Sequence, residues 1–476
     1  MSGISLGRVT VQLLLGRGVG YFLALANSVI LARVLGVDRL GTYTYAMGVA
    51  ALFGLLPHMG ISTVVTRAIA GGPDAGPGVV RAAVRAQLLL AVGVMLAIPA
   101  FATILPAQPV PLGYVALAAA QLAIGTLSWP YLAVLAGRAR YDRVAVSELA
   151  AGAGGTLSLL LAATLRGSVA AFLWAHVLAA GFAVAVARWV ASPFLPAEGT
   201  QRFPLGTLLR QATPFGATAA VQNLYTRLDI LLLGQMASST ALGLYNAAYK
   251  PINLAVFFGG TVAGSLFPLM AQQPQVGVPM AFGRAMRALT AAGPAMALAL
   301  GGFAGLLLQV LYGEEFSAAA PILVLLAWSA AANWLYAPLG VALQARGKER
   351  WWLRSLAGAF VLNAAANFWA IPRWGAVGAA AATLLSEVVL LGMGAVLVRR
   401  ELGMRLSRRP ALVALGATAV GGAALWLFGG VGGVPATLAA LMLYTGFLLV
   451  FRIVTSEDAA LVVGWVRQAT PGWSRG

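Results

Sequence analysis

Three ionisable residues stand where an otherwise apolar chain has little room for charge: Arg227, Asp229 and Lys250. All three lie in the stretch 213–270, two long apolar segments flanking a short neutral turn. A charged side chain at the centre of a membrane helix costs about 2.5–3.5 kcal/mol even on the lenient insertion scale. Three in one hairpin require mutual pairing, a wet cavity or a polar ligand. Residues two apart on a helix point to nearly opposite sides, so Arg227 and Asp229 do not share one cavity. Asn223, four residues from Arg227, shares its side, whereas Gln222 and Tyr225 share the side of Asp229. The expected arrangement turns Arg227 and Asn223 towards a cavity. It turns Asp229 towards a neighbouring helix, with Lys250 as its expected partner.

Further candidates are spread along the chain. Arg17, Tyr21, Ala24 and Ser28 fall on one helical stripe at spacings of 4, 3 and 4 residues. Arg17 either faces a cavity or snorkels to the headgroups. Glu387 is either a proton-coupling carboxylate or a packing partner bonded to nearby hydroxyls, the second being favoured. His58, after Pro57, is a candidate cavity residue, and His176 reads as structural. With no cysteine and two histidines, neither a thiolate nor a histidine metal site is expected. Gly16-Arg-Gly18-Val-Gly20 lies inside an apolar span, whereas phosphate-cradling loops follow a strand. There is no Walker lysine motif, no cofactor fingerprint and no enzyme signature, so the energy for any work comes from a gradient or from ligand concentration. The intramembrane balance is basic: Arg17, Arg227 and Lys250 against Asp229 and Glu387. Arginine stays charged and binds phosphate bidentately, so such a lining suits an anionic headgroup better than an organic cation.

The elements that must position these residues are membrane helices. Of 476 residues, 60% are hydrophobic and only 9% charged, against about 25% charged in soluble domains. Fourteen apolar spans of about 20 residues, the length needed to cross a bilayer, are expected at 11–34, 42–66, 81–105, 112–136, 144–165, 168–190, 212–236, 243–270, 285–311, 319–343, 353–372, 375–398, 410–428 and 434–454. The net charge of +18 is distributed in short loops between spans, a topogenic pattern rather than a nucleic-acid face. With the N-terminus cytoplasmic, 24 of the 31 lysines and arginines fall inside, and only Arg33, Arg39, Arg166 and Arg373 fall outside. Both termini are then cytoplasmic. The tail 456–476 reads as a short interfacial helix or a disordered end, and no cleavable signal peptide is evident.

The two halves echo each other. Gly41-Thr-Tyr43-Thr-Tyr-Ala46 corresponds to Gly243-Leu-Tyr245-Asn-Ala-Ala248 at a constant offset of 202. Both motifs begin the second span of a half, and six spans separate them, so the repeat runs parallel about an axis along the membrane normal. The expected organisation is a six-helix lobe at 1–190, a cytoplasmic linker at 191–211, a second six-helix lobe at 212–398, two extra helices at 399–455 and the tail at 456–476.

The chain resembles the polysaccharide and lipid-linked oligosaccharide flippases of the multidrug/oligosaccharidyl-lipid/polysaccharide exporter superfamily. The resemblance rests on Leu31-Ala-Arg33-Val-Leu35-Gly36, Gly41-Thr-Tyr43, Arg227-Leu-Asp229-Ile-Leu-Leu-Leu-Gly234, Gly243-Leu-Tyr245-Asn-Ala-Ala248 and Leu311-Tyr-Gly313-Glu-Glu-Phe316. It continues in Leu343-Gln-Ala-Arg346-Gly347-Lys-Glu-Arg350 and Ile371-Pro372-Arg-Trp-Gly375-Ala-Val-Gly378. It implies two lobes around a central cavity, alternating access, and transfer of a polyprenyl-diphosphate-linked saccharide to the outer leaflet of the cytoplasmic membrane. It also implies a hand-over to polymer-assembly machinery. Arg17, Arg227 and Lys250 would then meet the diphosphate, with Tyr21, Asn223 and Tyr225 as sugar partners. A cation-coupled multidrug exporter and a peptidoglycan-precursor flippase are the alternatives on the same fold.

Overall fold

Long apolar runs without the period-two alternation of a half-buried strand favour helices, and the computed structural model is built from them. It describes residues 6–54, 60–71, 76–104, 110–165, 167–196, 203–272, 278–404, 407–428 and 433–451. Fifteen α-helices occur there, with no strand among the described residues. They are α1 (Leu6–Leu52), α2 (Ile61–Ala70), α3 (Gly76–Ile104), α4 (Leu112–Thr126), α5 (Trp129–Gly137), α6 (Tyr141–Leu165), α7 (Val169–Ala191) and α8 (Leu205–Met236). There follow α9 (Ser239–Gln272), α10 (Val278–Gly302), α11 (Ala304–Tyr312), α12 (Ala320–Ala345), α13 (Glu349–Leu402), α14 (Arg408–Phe428) and α15 (Gly433–Val450).

Among the described residues nine helical stretches are long and apolar enough to cross a membrane, or ten if α10 and α11, bent by 63°, form one span. The expected fourteen spans therefore do not map one to one onto helices. The expected span 112–136 coincides with one candidate crossing, 112–137, which α4 and α5 make together, and 285–311 coincides with the bent pair α10 and α11. The span 42–66 is divided between the end of α1 and α2. Two helices are longer than any crossing. α13, with 54 residues, would measure about 80 Å if straight at 1.5 Å per residue, against a hydrocarbon core of about 30 Å. Backbone breaks resolve this: Gly36 in α1 takes φ 70 and Gly375 in α13 takes φ 53, left-handed values that an L side chain resists. In α13 the break makes a hairpin. Lys348, just before the first arm, is 3.0 Å from Glu401 at the end of the second. Asn363 on one arm donates to the Ser386 hydroxyl on the other at 3.2 Å, and Gly378 lies against the carbonyl of Ala370. These pairs sum to nearly the same residue number, the register of two antiparallel arms turning near Gly375.

The chain divides into two compact units, Met1–Asn246 and Ala247–Gly476. In the first, Ile61, Val65, Ala83, Val134 and Leu208 bring α2, α3, α5 and α8 into one buried cluster. The outer side of α3 presents Leu88, Leu89, Val92 and Leu96, an apolar surface of the kind that lipid covers. In the second unit α14 and α15 pack on each other and on α10. The buried Tyr444 hydroxyl donates to the carbonyl of Ala291 at 2.7 Å, so the last two helices are tethered by a hydrogen bond in a region without competing water.

Candidate functional site

The 202-residue echo becomes a physical contact in the first unit. A Cβ on Gly41 would overlap the carbonyl oxygen of Ser239, and a Cβ on Gly243 would overlap that of Val37. Val37 and Ser239 are themselves 202 apart, as are Gly41 and Gly243, so each segment meets the other through the same two positions. This reciprocity is that of a two-fold interface, here formed within one chain. Only a residue without a side chain lets the two backbones approach so closely, which accounts for glycine at both positions.

Polar groups follow the same pairing. The Asp38 carboxylate accepts from the hydroxyls of Ser239 and Thr240 at the exposed rim. Deeper in, Asn246 donates its amide to the Thr44 hydroxyl, and these two residues are again 202 apart. Gln235 donates to the Tyr45 hydroxyl at 2.6 Å. Local chemistry sets up both strands of the contact. Gly36 turns the chain into the second arm of α1, where Asp38 suits the positive end of a helix. Ser238 caps α9 by accepting from the Ala241 amide at 3.2 Å.

The repeated tyrosines anchor the contact to its neighbours. The hydroxyl of Tyr43 is hydrogen-bonded to Nε2 of His176 on α7 at 2.6 Å. The hydroxyl of Tyr245 donates to the carboxylate of Asp229 on α8. Asp229 is buried, and its other oxygen accepts the Ile230 amide at 2.9 Å. Sequence reasoning singled out Asp229 but not its bond to Tyr245. The signal lay in the repeat itself, since Tyr43 and Tyr245 are the aromatic residues that both copies keep.

Arg227, two residues from Asp229, is exposed on α8. Tyr21 is exposed on α1 at 39%, and Ser28 is buried with its hydroxyl donating to the Leu25 carbonyl at 2.7 Å. Arg17 lies on α1, and Asn223 and Tyr225 on α8; their side chains, like His58 and the tail 456–476, lie outside the described residues. Lys250 is half-buried on α9, in the second unit. Glu387 is buried on the second arm of α13 beside a polar seam. In that seam Asn367 donates to both the carbonyl and the side-chain oxygen of Asn363 at 3.0 Å, and Ser386 donates to the Thr383 carbonyl at 2.8 Å. Among the described residues no group of three or more His, Cys, Asp or Glu side chains is placed to hold a metal ion.

Helices broken at glycines, intramembrane charges and a reciprocal repeat define a polytopic helical membrane protein. Solved structures place its fold. The chain is similar to "Lipid II flippase MurJ, inward closed conformation", with TM-score 0.70 and 11% identity over 92% of this chain and 98% of that one. It is also similar to an inward-facing multidrug resistance MATE family transporter of the MOP superfamily (TM-score 0.61, 14% identity, 83% and 98% covered). A Vibrio cholerae MATE transporter, VcmN, gives TM-score 0.60 at 18% identity, with 84% and 96% covered. The fold is thus that of the MOP-superfamily transporters and flippases. The family described as polysaccharide biosynthesis protein matches residues 30–321, and the chain belongs to that family. It is also 27% identical over 177 residues to a Haloferax volcanii protein named "Probable low-salt glycan biosynthesis flippase Agl15". That likeness spans 35% of this chain and 36% of the relative.

Proposed function

We propose that the protein flips a polyprenyl-diphosphate-linked saccharide from the cytoplasmic to the outer leaflet for the assembly of a cell-surface glycan. The observation that carries this reading is the division of labour on α8. Asp229 is buried and held by Tyr245 and the Ile230 amide, while Arg227, half a turn away, is exposed. An arginine that the fold leaves exposed within an apolar helix is placed to take a phosphate, which it binds bidentately and at any accessible pH. Family membership and the named glycan flippase support the same substrate class. Arg17 and Lys250 complete the proposed cationic lining, Tyr21, Asn223 and Tyr225 meet the sugars, and Glu387 with its asparagine seam serves coupling or packing. The two motif-bearing halves act as lobes around a central cavity in the cytoplasmic membrane, with both termini cytoplasmic, and deliver the lipid-linked saccharide to a polymerising partner. No step of this work makes or breaks a covalent bond.

The test is ligand-induced thermal stabilisation of the purified protein. A short polyprenyl-diphosphate oligosaccharide at 100 times its dissociation constant is expected to add about 2.7 kcal/mol of stability. Arg227→Ala is expected to lose most of that gain while unfolding at nearly the wild-type temperature without ligand. Stabilisation by a lipophilic organic cation in place of the saccharide lipid would overturn the reading and move the site to the acidic residues.

A further inference from the structure

The α13 hairpin carries its own measure of the bilayer. At its closed end, near Gly375, the Arg373 guanidinium lies 4.7 Å from the centre of the Trp369 ring, and its Nη1 donates to the Trp369 carbonyl at 2.6 Å. Trp374 meets Trp369 edge-on at 5.0 Å. At the open end Arg354 lies 4.8 Å from the centre of the Trp351 ring. Arg354 and Arg373 share one arm and are 19 residues apart, about 28 Å along a helix. That matches a hydrocarbon core of about 30 Å, and tryptophan and arginine are the residues that settle at its two borders. Between the borders the exposed side chains are apolar: Val361 and Phe368 on the first arm, Leu385, Val388 and Val396 on the second. The two ends of the hairpin therefore lie in opposite headgroup layers.

The two ends differ in charge. At the closed end the single charge of Arg373 rests on an indole and a carbonyl. At the open end the Lys348–Glu401 ion pair joins the two arms, and the same register sets Arg350 opposite Arg399, with Arg400 next to it and Arg354 one turn further along. All four of these arginines are exposed. None of them has a carboxylate within ion-pair distance among the described residues. The acids on this end are Glu349 and Glu401, and Glu401 is engaged with Lys348. Four uncompensated guanidinium groups in one headgroup layer require anions from outside the protein, and the layer itself supplies phosphates.

We propose that the open end of the α13 hairpin is a binding site for anionic phospholipid headgroups. Arg350 and Arg354 from one arm and Arg399 and Arg400 from the other take the phosphate, and Trp351 packs at the headgroup border. The site is separate from the flippase substrate site, and its occupant is a lipid of the bilayer that stays in its leaflet. It pins the hairpin at a fixed depth while other helices move.

The test uses the full-length protein in detergent, unfolded thermally with phosphatidylglycerol or phosphatidylcholine at equal concentration. Wild type is expected to be stabilised by the anionic lipid well beyond the zwitterionic one, with the difference shrinking at high salt. R350Q/R354Q/R399Q/R400Q is expected to bind phosphatidylglycerol at least about tenfold more weakly, and up to about a thousandfold if the four contributions add. R373Q, at the other end of the same hairpin, is expected to keep the wild-type response. An equal response of wild type to the two lipids, or a full response of the fourfold variant, overturns the proposal. Equal stabilisation by inorganic phosphate alone also overturns it, because the site would then take a soluble anion. Should the fourfold variant not purify folded, native mass spectrometry of lipids retained by R354Q and by W351A decides the matter. Reduced retention of anionic lipid supports the site, and unchanged retention ends it.

Discussion

A chain carrying Thr44→Cys and Asn246→Cys, bridged by a short bis-methanethiosulfonate reagent, is expected to lose transport almost completely and to regain it on reduction. The protein contains no cysteine of its own, so the engineered pair reacts without background. Thr44 and Asn246 are hydrogen-bonded to each other and occupy equivalent places in the two copies of the repeat. If the halves carry a ligand across the membrane by alternating access, their reciprocal contact must open in one of the two states. The backbones at Gly41 and Gly243 are in close contact in this structure, and a bridge there holds them so. The unbridged double variant is the control and is expected to transport at close to the wild-type rate, because the Ser239–Asp38 and Gln235–Tyr45 hydrogen bonds across the same contact remain. Full transport with the bridge demonstrably formed would show that the contact is a permanent part of the core and not a moving one.

Much of this contact was legible in the sequence, but not its meaning. The offset of 202 identified two like segments and gave their place at the start of the second span of each half. It did not say that they touch. That follows from two glycines whose missing side chains are filled by each other's backbone, and a glycine in an apolar helix has several explanations until its neighbours are known. Span limits were read well where an apolar run ends in a charged loop, as for α6, α7 and α12. The outer limits of 112–136 and 285–311 also match, but the helix breaks inside these apolar runs are not legible. Phe303 between α10 and α11 and Ser128 between α4 and α5 interrupt helices without interrupting hydrophobicity, so hydropathy passes over them. Conversely, 353–372 and 375–398 are separate spans in the sequence reading, and the left-handed Gly375 parts α13 into two arms between them.

The charged residues show the same limit. Helix geometry alone puts Arg227 and Asp229 on different sides, and one is exposed while the other is buried. The hydroxyl that holds Asp229 comes from Tyr245, on the next helix, and no spacing within α8 points to it. Polar residues in lipid are legible as exceptions, but their partners are set by packing.

Replacement of Asp229 by alanine is expected to destabilise the protein strongly while Asp229→Asn is tolerated. The carboxylate is buried and accepts both the Tyr245 hydroxyl and the Ile230 amide. Alanine leaves the buried Tyr245 hydroxyl without its acceptor, which costs about 1–3 kcal/mol, whereas the Ile230 amide keeps its place within α8. Asparagine keeps a carbonyl oxygen for the tyrosine and carries no charge into the core, so its effect is expected below about 1 kcal/mol. Tyr245→Phe is expected to cost about as much as the loss of one such bond, because the buried carboxyl group then keeps one donor fewer. The combination Asp229→Asn with Tyr245→Phe is expected to cost less than the sum, with a coupling of about 0.5–3 kcal/mol in a double-mutant cycle of thermal unfolding. Strict additivity would show that the two side chains do not support each other. Arg227→Ala supplies the contrast: an exposed side chain half a turn away leaves stability within about 0.5 kcal/mol but removes the ligand-induced gain. Two neighbouring charges on one helix would thus separate holding the fold from holding the substrate.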